Sequence, residues 1–186
     1  LCKECFYVGA TQVLDPTLLV TKEEYIHHFN LNVHPKKYMA VYMLDMSEEK
    51  RRMVETVSLE LGLPVKFINQ SSSHWSWLPS SVSELVKPGV KNWLQSILEA
   101  EYVLTDSFHG MAFSIIFEKQ FWAIGNERRG LTRFSSLLDS LGIQNRLMNV
   151  DMKIDVNMLR VDYTVVRDLK NKLREKSLKF LNEALN

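Results

Sequence analysis

Cysteine is scarce, with two in 186 residues. That is too few for a disulfide framework. Cys2 and Cys5 stand at CxxC spacing, which supplies half of a four-ligand zinc site, and no second pair exists. They read as incidental thiols, and no metal is expected. No apolar run is long enough to span a bilayer. The first twenty residues lack a charged start followed by an apolar core, so no signal peptide is expected. An excess of one charge is missing too. Lys+Arg 23 against Asp+Glu 22 leave a net +1, whereas a dedicated nucleic-acid binder needs a basic surplus for phosphate contacts. Nucleic acid is therefore not an expected partner. There is no internal repeat, no low-complexity block and none of the glycine-rich phosphate signatures.

What is present is an ordinary globular balance, 46% hydrophobic and 24% charged, enough to bury a real core. Tyr38–Leu44 is a continuous apolar run, as expected of a strand buried on both faces. Glu48–Leu61 follows with Met53, Val54, Val57 and Leu61 on one helical face and Gly62 at its stop. Pro64–Ile68 reads as the next strand and completes a β-α-β unit. Asn69–Ser83, rich in Ser, Trp and Pro, reads as a long loop. Val90, Trp93, Leu94, Ile97 and Leu98 mark a second amphipathic helix. Strand Tyr102–Thr105, an apolar helix over Met111–Phe117, strand Phe121–Ile124 and a helix carrying Phe134, Leu137, Leu138 and Leu141 come next. A basic amphipathic helix over Thr164–Leu185 closes the chain. Strands alternating with helices predict an α/β fold: a Rossmann-like parallel sheet with helices on both faces.

The chemistry concentrates after the Tyr102–Thr105 strand, in the turn Asp106-Ser-Phe-His-Gly110 that leads into the apolar helix. In open parallel sheets ligands sit at the carboxyl ends of strands. A helix starting there offers unpaired N–H groups and a partial positive charge to an anion. Ser107 is a natural N-cap, Gly110 would let a ligand approach the backbone closely, and His109 can hold a phosphate or carry a proton. These are also ordinary capping and structural residues, so local pattern alone leaves the ligand role open. After the adjacent strand, Arg128, Arg129 and Arg133 lie within six residues. Arginine grips carboxylate and phosphate through paired donors. If both loops leave the same sheet edge, they face one cleft suited to a small polyanion. The competing reading of the arginines is a solvated basic turn.

Asp15-Pro-Thr-Leu-Leu19, then Ala100-Glu-Tyr-Val-Leu-Thr-Asp-Ser-Phe-His-Gly-Met-Ala-Phe-Ser-Ile-Ile-Phe117, then Arg129-Gly with Arg133-Phe, and Leu138 to Arg146 resemble the polysaccharide pyruvyl transferase family in order and spacing. The resemblance implies one half of a two-domain enzyme of the GT-B kind, with two Rossmann-like domains facing a cleft. It implies a donor, phosphoenolpyruvate, used as a substrate with no separate cofactor. The acceptor it implies is a sugar or lipid-linked oligosaccharide of a bacterial surface polysaccharide, and the product a cyclic pyruvate ketal. On that basis residues 1–37 are expected to be a lead-in and hinge segment from a missing N-terminal domain. Residues 38–150 would form the donor-binding domain, and 151–186 a helical tail packed on it. The implied location is the cytoplasm, at or near the inner membrane surface.

Phosphoenolpyruvate carries a phosphate and a carboxylate and must receive a proton at its methylene carbon. The reading assigns Ser107, the Gly110 N–H and the helix N-terminus to one anionic group and Arg129 with Arg133 to the other, with Arg128 a weaker contributor. His109 is either a charged phosphate ligand or the general acid. Two other classes stay open: a glycosyltransferase half that binds a nucleotide-sugar, for which only Glu127 offers an acid, and a non-catalytic binding module. His27, His28 and His34 read as surface histidines. His74-Trp-Ser-Trp77 reads as an anchor for its loop, with sugar stacking as the sharper alternative. The Lys170–Lys179 run reads as a solvated helix face, with peripheral attachment to an anionic membrane as the weaker reading.

Overall fold

A computed structural model describes residues 5, 7, 9–68, 89–125, 130–150, 155 and 160–185. The 3-10 turn Pro16–Leu19 leads into helix α1 (Lys22–Phe29), strand β1 (Met39–Tyr42), α2 (Glu48–Leu61) and β2 (Val65–Phe67). Then come α3 (Val90–Glu99), β3 (Tyr102–Thr105), α4 (Phe108–Ile116), β4 (Gln120–Ile124), α5 (Leu131–Ser140), β5 (Leu147–Met148) and α6 (Tyr163–Leu185). The five strands form one sheet in the order β2-β1-β3-β4-β5, and every pairing is parallel. Met39 stands beside Tyr102, Thr105 beside Ala123, and Ile124 beside Met148. This is the α/β Rossmann-like arrangement the alternating pattern predicts.

The apolar runs explain why the sheet is covered on both faces, since each strand alternates its side chains between two cores. Ala40, Val103, Phe121 and Ala123 point into the larger core, which α3, α4, α5 and the turn at Leu18 complete. Met39, Val41, Leu104, Trp122 and Ile124 point the other way, onto Met53, Val54 and Val57 of α2.

Beyond shifts of a residue or two at element ends, one helix start and one whole helix differ from the sequence reading. The apolar helix predicted from Met111 begins at Phe108, so His109 and Gly110 occupy its first turn rather than the connecting loop. Ser107 caps it, accepting from the Gly110 N–H at 3.4 Å. Helix α1 forms inside the segment read only as a polar lead-in. Its start is a capping box: Thr21 Oγ1 accepts from the Glu24 N–H at 3.2 Å, and Glu24 accepts from the Thr21 N–H at 2.7 Å. Asn30 in the left-handed region ends it. The segment is also part of the core, with Leu18 and Leu31 buried. The tail helix α6 packs back on it, where Ser177 Oγ accepts from the Leu14 N–H at 3.0 Å and Arg174 Nε donates to the Leu19 carbonyl at 2.6 Å.

The serine- and tryptophan-rich stretch with His74, Trp75 and Trp77 lies outside the described residues, as do Cys2, Glu127, Arg128 and Arg129. His27, His28 and His34 are exposed, as expected. Among the described residues no helix is long and apolar enough to cross a membrane, and no His/Cys/Asp/Glu group could hold a metal.

Candidate functional site

The strand order reverses between β1 and β3, and that switch point is where open α/β sheets usually bind ligands. Here it is bridged by the protein's own side chains. Asp106, fully buried at the end of β3, accepts from the Leu44 N–H at 2.6 Å and the Asp45 N–H at 3.1 Å. Lys50 of α2, itself buried, pairs with the same carboxylate at 2.6 Å and donates to the Asp45 carbonyl at 2.8 Å. Asp106 therefore ties the loop after β1 to the end of β3.

The next residues are engaged in the same way. Thr105 Oγ1 donates to the Tyr42 carbonyl at 2.7 Å and accepts from the Ser107 N–H at 3.0 Å. Ser107 is buried, its hydroxyl occupied by the cap. A Cβ on Gly110 would stand 2.3 Å from Thr105 Oγ1 and 3.1 Å from the Tyr42 ring. Glycine is required there because α4 lies so close to β3 and β1, a packing reason that exists without any ligand.

The accessible chemistry lies one step outward, over the first turn of α4. His109 and Arg133 are each about half exposed, at 52% and 56% of their side-chain surface. Both face Asp15. Arg133 Nη2 is 3.3 Å from Asp15 Oδ2, and His109 Nε2 is 3.9 Å from the same oxygen. The other Asp15 oxygen accepts from the Thr17 N–H at 3.1 Å and the Thr17 hydroxyl at 2.8 Å, which fixes the carboxylate. Phe108 is the platform beneath. The Arg133 guanidinium stacks 4.2 Å from its ring centroid, His109 meets it edge-on, and Phe134 supports it from below. A cavity of about 560 Å³ opens beside this cluster, lined by Gln12, Asp15, Phe108, Arg133, Ser136 and Lys176 among others.

Of the residues singled out from sequence, His109 and Arg133 come together through one carboxylate. Ser107 and Gly110 lie buried beneath them, and Arg128 and Arg129 lie outside the described residues. Asp15 enters the sequence reading only as the start of the Asp15–Leu19 stretch, an Asp-Pro signal for a turn or helix start. No local signal marks it as a site residue, because its partners stand 94 and 118 positions away. Lys50 was likewise read only as part of an amphipathic helix.

Fold and site define an α/β domain with a polar cluster at the carboxyl edge of a parallel sheet, over a helix N-terminus. Comparison with protein families matches residues 2–128 to the family described as polysaccharide pyruvyl transferase, a match that includes Asp15, Asp106 and His109 and ends before Arg133. The chain belongs to that family. No curated protein and no solved structure matches it.

Proposed function

We propose that the chain carries the donor-binding half of a pyruvyl transferase that takes phosphoenolpyruvate as donor and a saccharide diol as acceptor. The observation that supports this most is the convergence of an imidazole and a guanidinium on one fixed carboxylate, at the sheet edge where such ligands sit. Arg133 swings from Asp15 to the donor's carboxylate or phosphate, a bidentate partner it prefers. His109 protonates the donor's methylene carbon, and Asp15 keeps the imidazole aimed. An acceptor hydroxyl then attacks C2, phosphate departs, and the second hydroxyl closes the ketal. Of the two hydroxyl protons, one replaces the proton delivered to the methylene carbon and the other leaves with phosphate. Arg128 and Arg129 extend the grip on the second anionic group. A second Rossmann-like domain supplies the acceptor wall of the cleft, at the cytoplasmic face of the membrane that holds a lipid-linked acceptor.

The test is phosphate release from phosphoenolpyruvate by the full-length protein with a panel of oligosaccharide acceptors. Acceptor-dependent release with formation of an acid-labile pyruvate ketal is expected. Ketal formation undiminished in His109→Ala would remove the assigned proton donor, and absence of any release across the panel would contradict the donor assignment.

A further inference from the structure

The opposite edge of the sheet holds a second cavity, of about 520 Å³, that the proposed reaction does not use. Four segments that precede parallel strands or the tail helix build it, among them Ala100–Glu101 ahead of β3. Pro35–Lys37 runs ahead of β1, Glu118–Gln120 opens β4, and Arg160–Val161 leads into α6. Each is fixed by bonds of its own. The Lys36 N–H donates to the Glu99 carbonyl at 2.8 Å, and its ammonium pairs with the Glu99 carboxylate at 2.7 Å. The Gln120 side chain clasps the Val161 backbone in both directions, at 2.8 and 3.2 Å. The Lys119 N–H donates to the Ser114 carbonyl at 2.8 Å, and its own carbonyl accepts from the Tyr163 hydroxyl. These bonds fix the backbone of the segments that bring Lys37, Lys119 and Arg160 to the lining of one space.

Charge decides what that space suits. Glu118 is engaged by Lys22 at 3.1 Å and Arg167 at 2.6 Å, and Lys36 by Glu99. Lys37, Lys119 and Arg160 form no ion pair among the described residues, and Glu101 is the one lining carboxylate without one. The surplus of two positive charges matches a phosphate group, which carries about −1.5 to −2 at neutral pH. Arginine offers it a planar fork and lysine a point charge. Lys119 is half-buried and forms no ion pair among the described residues; burial first, then the neighbouring Lys22, pulls its ammonium down to about 8, with Glu99 acting weakly the other way.

We propose that this cavity is a second anion site, on the amino edge of the sheet, that binds a phosphate-bearing ligand through Lys37, Lys119 and Arg160. It stands independently of the donor site. The experiment labels the whole chain's lysines with acetic anhydride and maps Lys119 by mass spectrometry, with and without inorganic pyrophosphate or vesicles of phosphatidylglycerol. Protection by pyrophosphate assigns a free phosphate ligand, and protection by vesicles alone assigns a lipid headgroup. Pyrophosphate or vesicle binding is then expected to weaken about tenfold in Arg160→Gln and in Lys119→Met, each removing one charge-assisted contact, and to persist in Arg133→Gln. Lys119 left unprotected by both, or binding lost only in Arg133→Gln, would overturn the proposal.

Discussion

Three residues at the carboxyl edge carry different burdens, and substitution separates them. In His109→Gln the ring proposed to deliver the proton is gone while its exposed setting is kept. Turnover is expected to fall about 10²- to 10³-fold with folding intact, read from phosphate release and the thermal midpoint. Gly110→Ala acts the other way. The new methyl meets Thr105 Oγ1 at 2.3 Å, so α4 must lift from β3. A loss of about 2 kcal/mol in stability is expected by denaturant titration. Asp106→Asn strips the charge from the buried partner of Lys50 and is expected to cost about 3 kcal/mol, measured the same way. A variant that folds as stably as the native chain would show that this bridge does not hold the β1 and β3 ends together. The sequence pattern made His109 and Arg133 visible because their residue types suit anions. Their meeting at Asp15 was not visible, because a carboxylate in an Asp-Pro turn reads locally as a cap.

At the scale of elements, the apolar runs and the caps made most of the architecture legible. Tyr102–Thr105 is buried along its whole length, and only an interior parallel strand reads so uniformly apolar. The start of α4 was legible only in part, since Gly110 resembles a loop residue until its contact with Thr105 is known. Helix α1 was missed although the Thr21–Glu24 capping box was in the sequence, because its apolar face is short. The segment between α4 and β4 shows how elements set titration. Burial pushes the Glu118 carboxyl up, but hydrogen bonds from Arg167 and Lys22 outweigh it and hold the group below its usual range. The stability this contributes is present above the ordinary carboxylate range and is lost as pH falls through the depressed value. Lys119 has the opposite consequence. Its ammonium sits at about 8 in the folded chain against 10.5 ordinarily, so between those values the unfolded chain binds more protons. Native stability is therefore expected to rise with pH across that window relative to Lys119→Met. Parallel denaturant titrations at pH 7 and pH 10 check it, and an unchanged difference between the two proteins would contradict it.

For the molecule as a whole, the scarcity of cysteine, of long apolar runs and of net charge pointed to a globular domain, and the parallel five-stranded sheet is that domain. Its two sheet edges serve different ends in this account, with donor chemistry at the carboxyl edge and a phosphate-bearing ligand at the amino edge. Under the proposed two-domain arrangement, residues 1–186 by themselves are expected to bind the donor yet transfer little or no pyruvyl group, read from acceptor-dependent phosphate release. The most direct test of the central claim is a titration of phosphoenolpyruvate against a UDP-sugar, followed by the imidazole resonances of His109 in the native chain and in Arg133→Gln. The account predicts a saturable shift of His109 with phosphoenolpyruvate, weakened about tenfold or more in Arg133→Gln, and no shift with the UDP-sugar. A His109 signal that responds to the UDP-sugar and ignores phosphoenolpyruvate would contradict it.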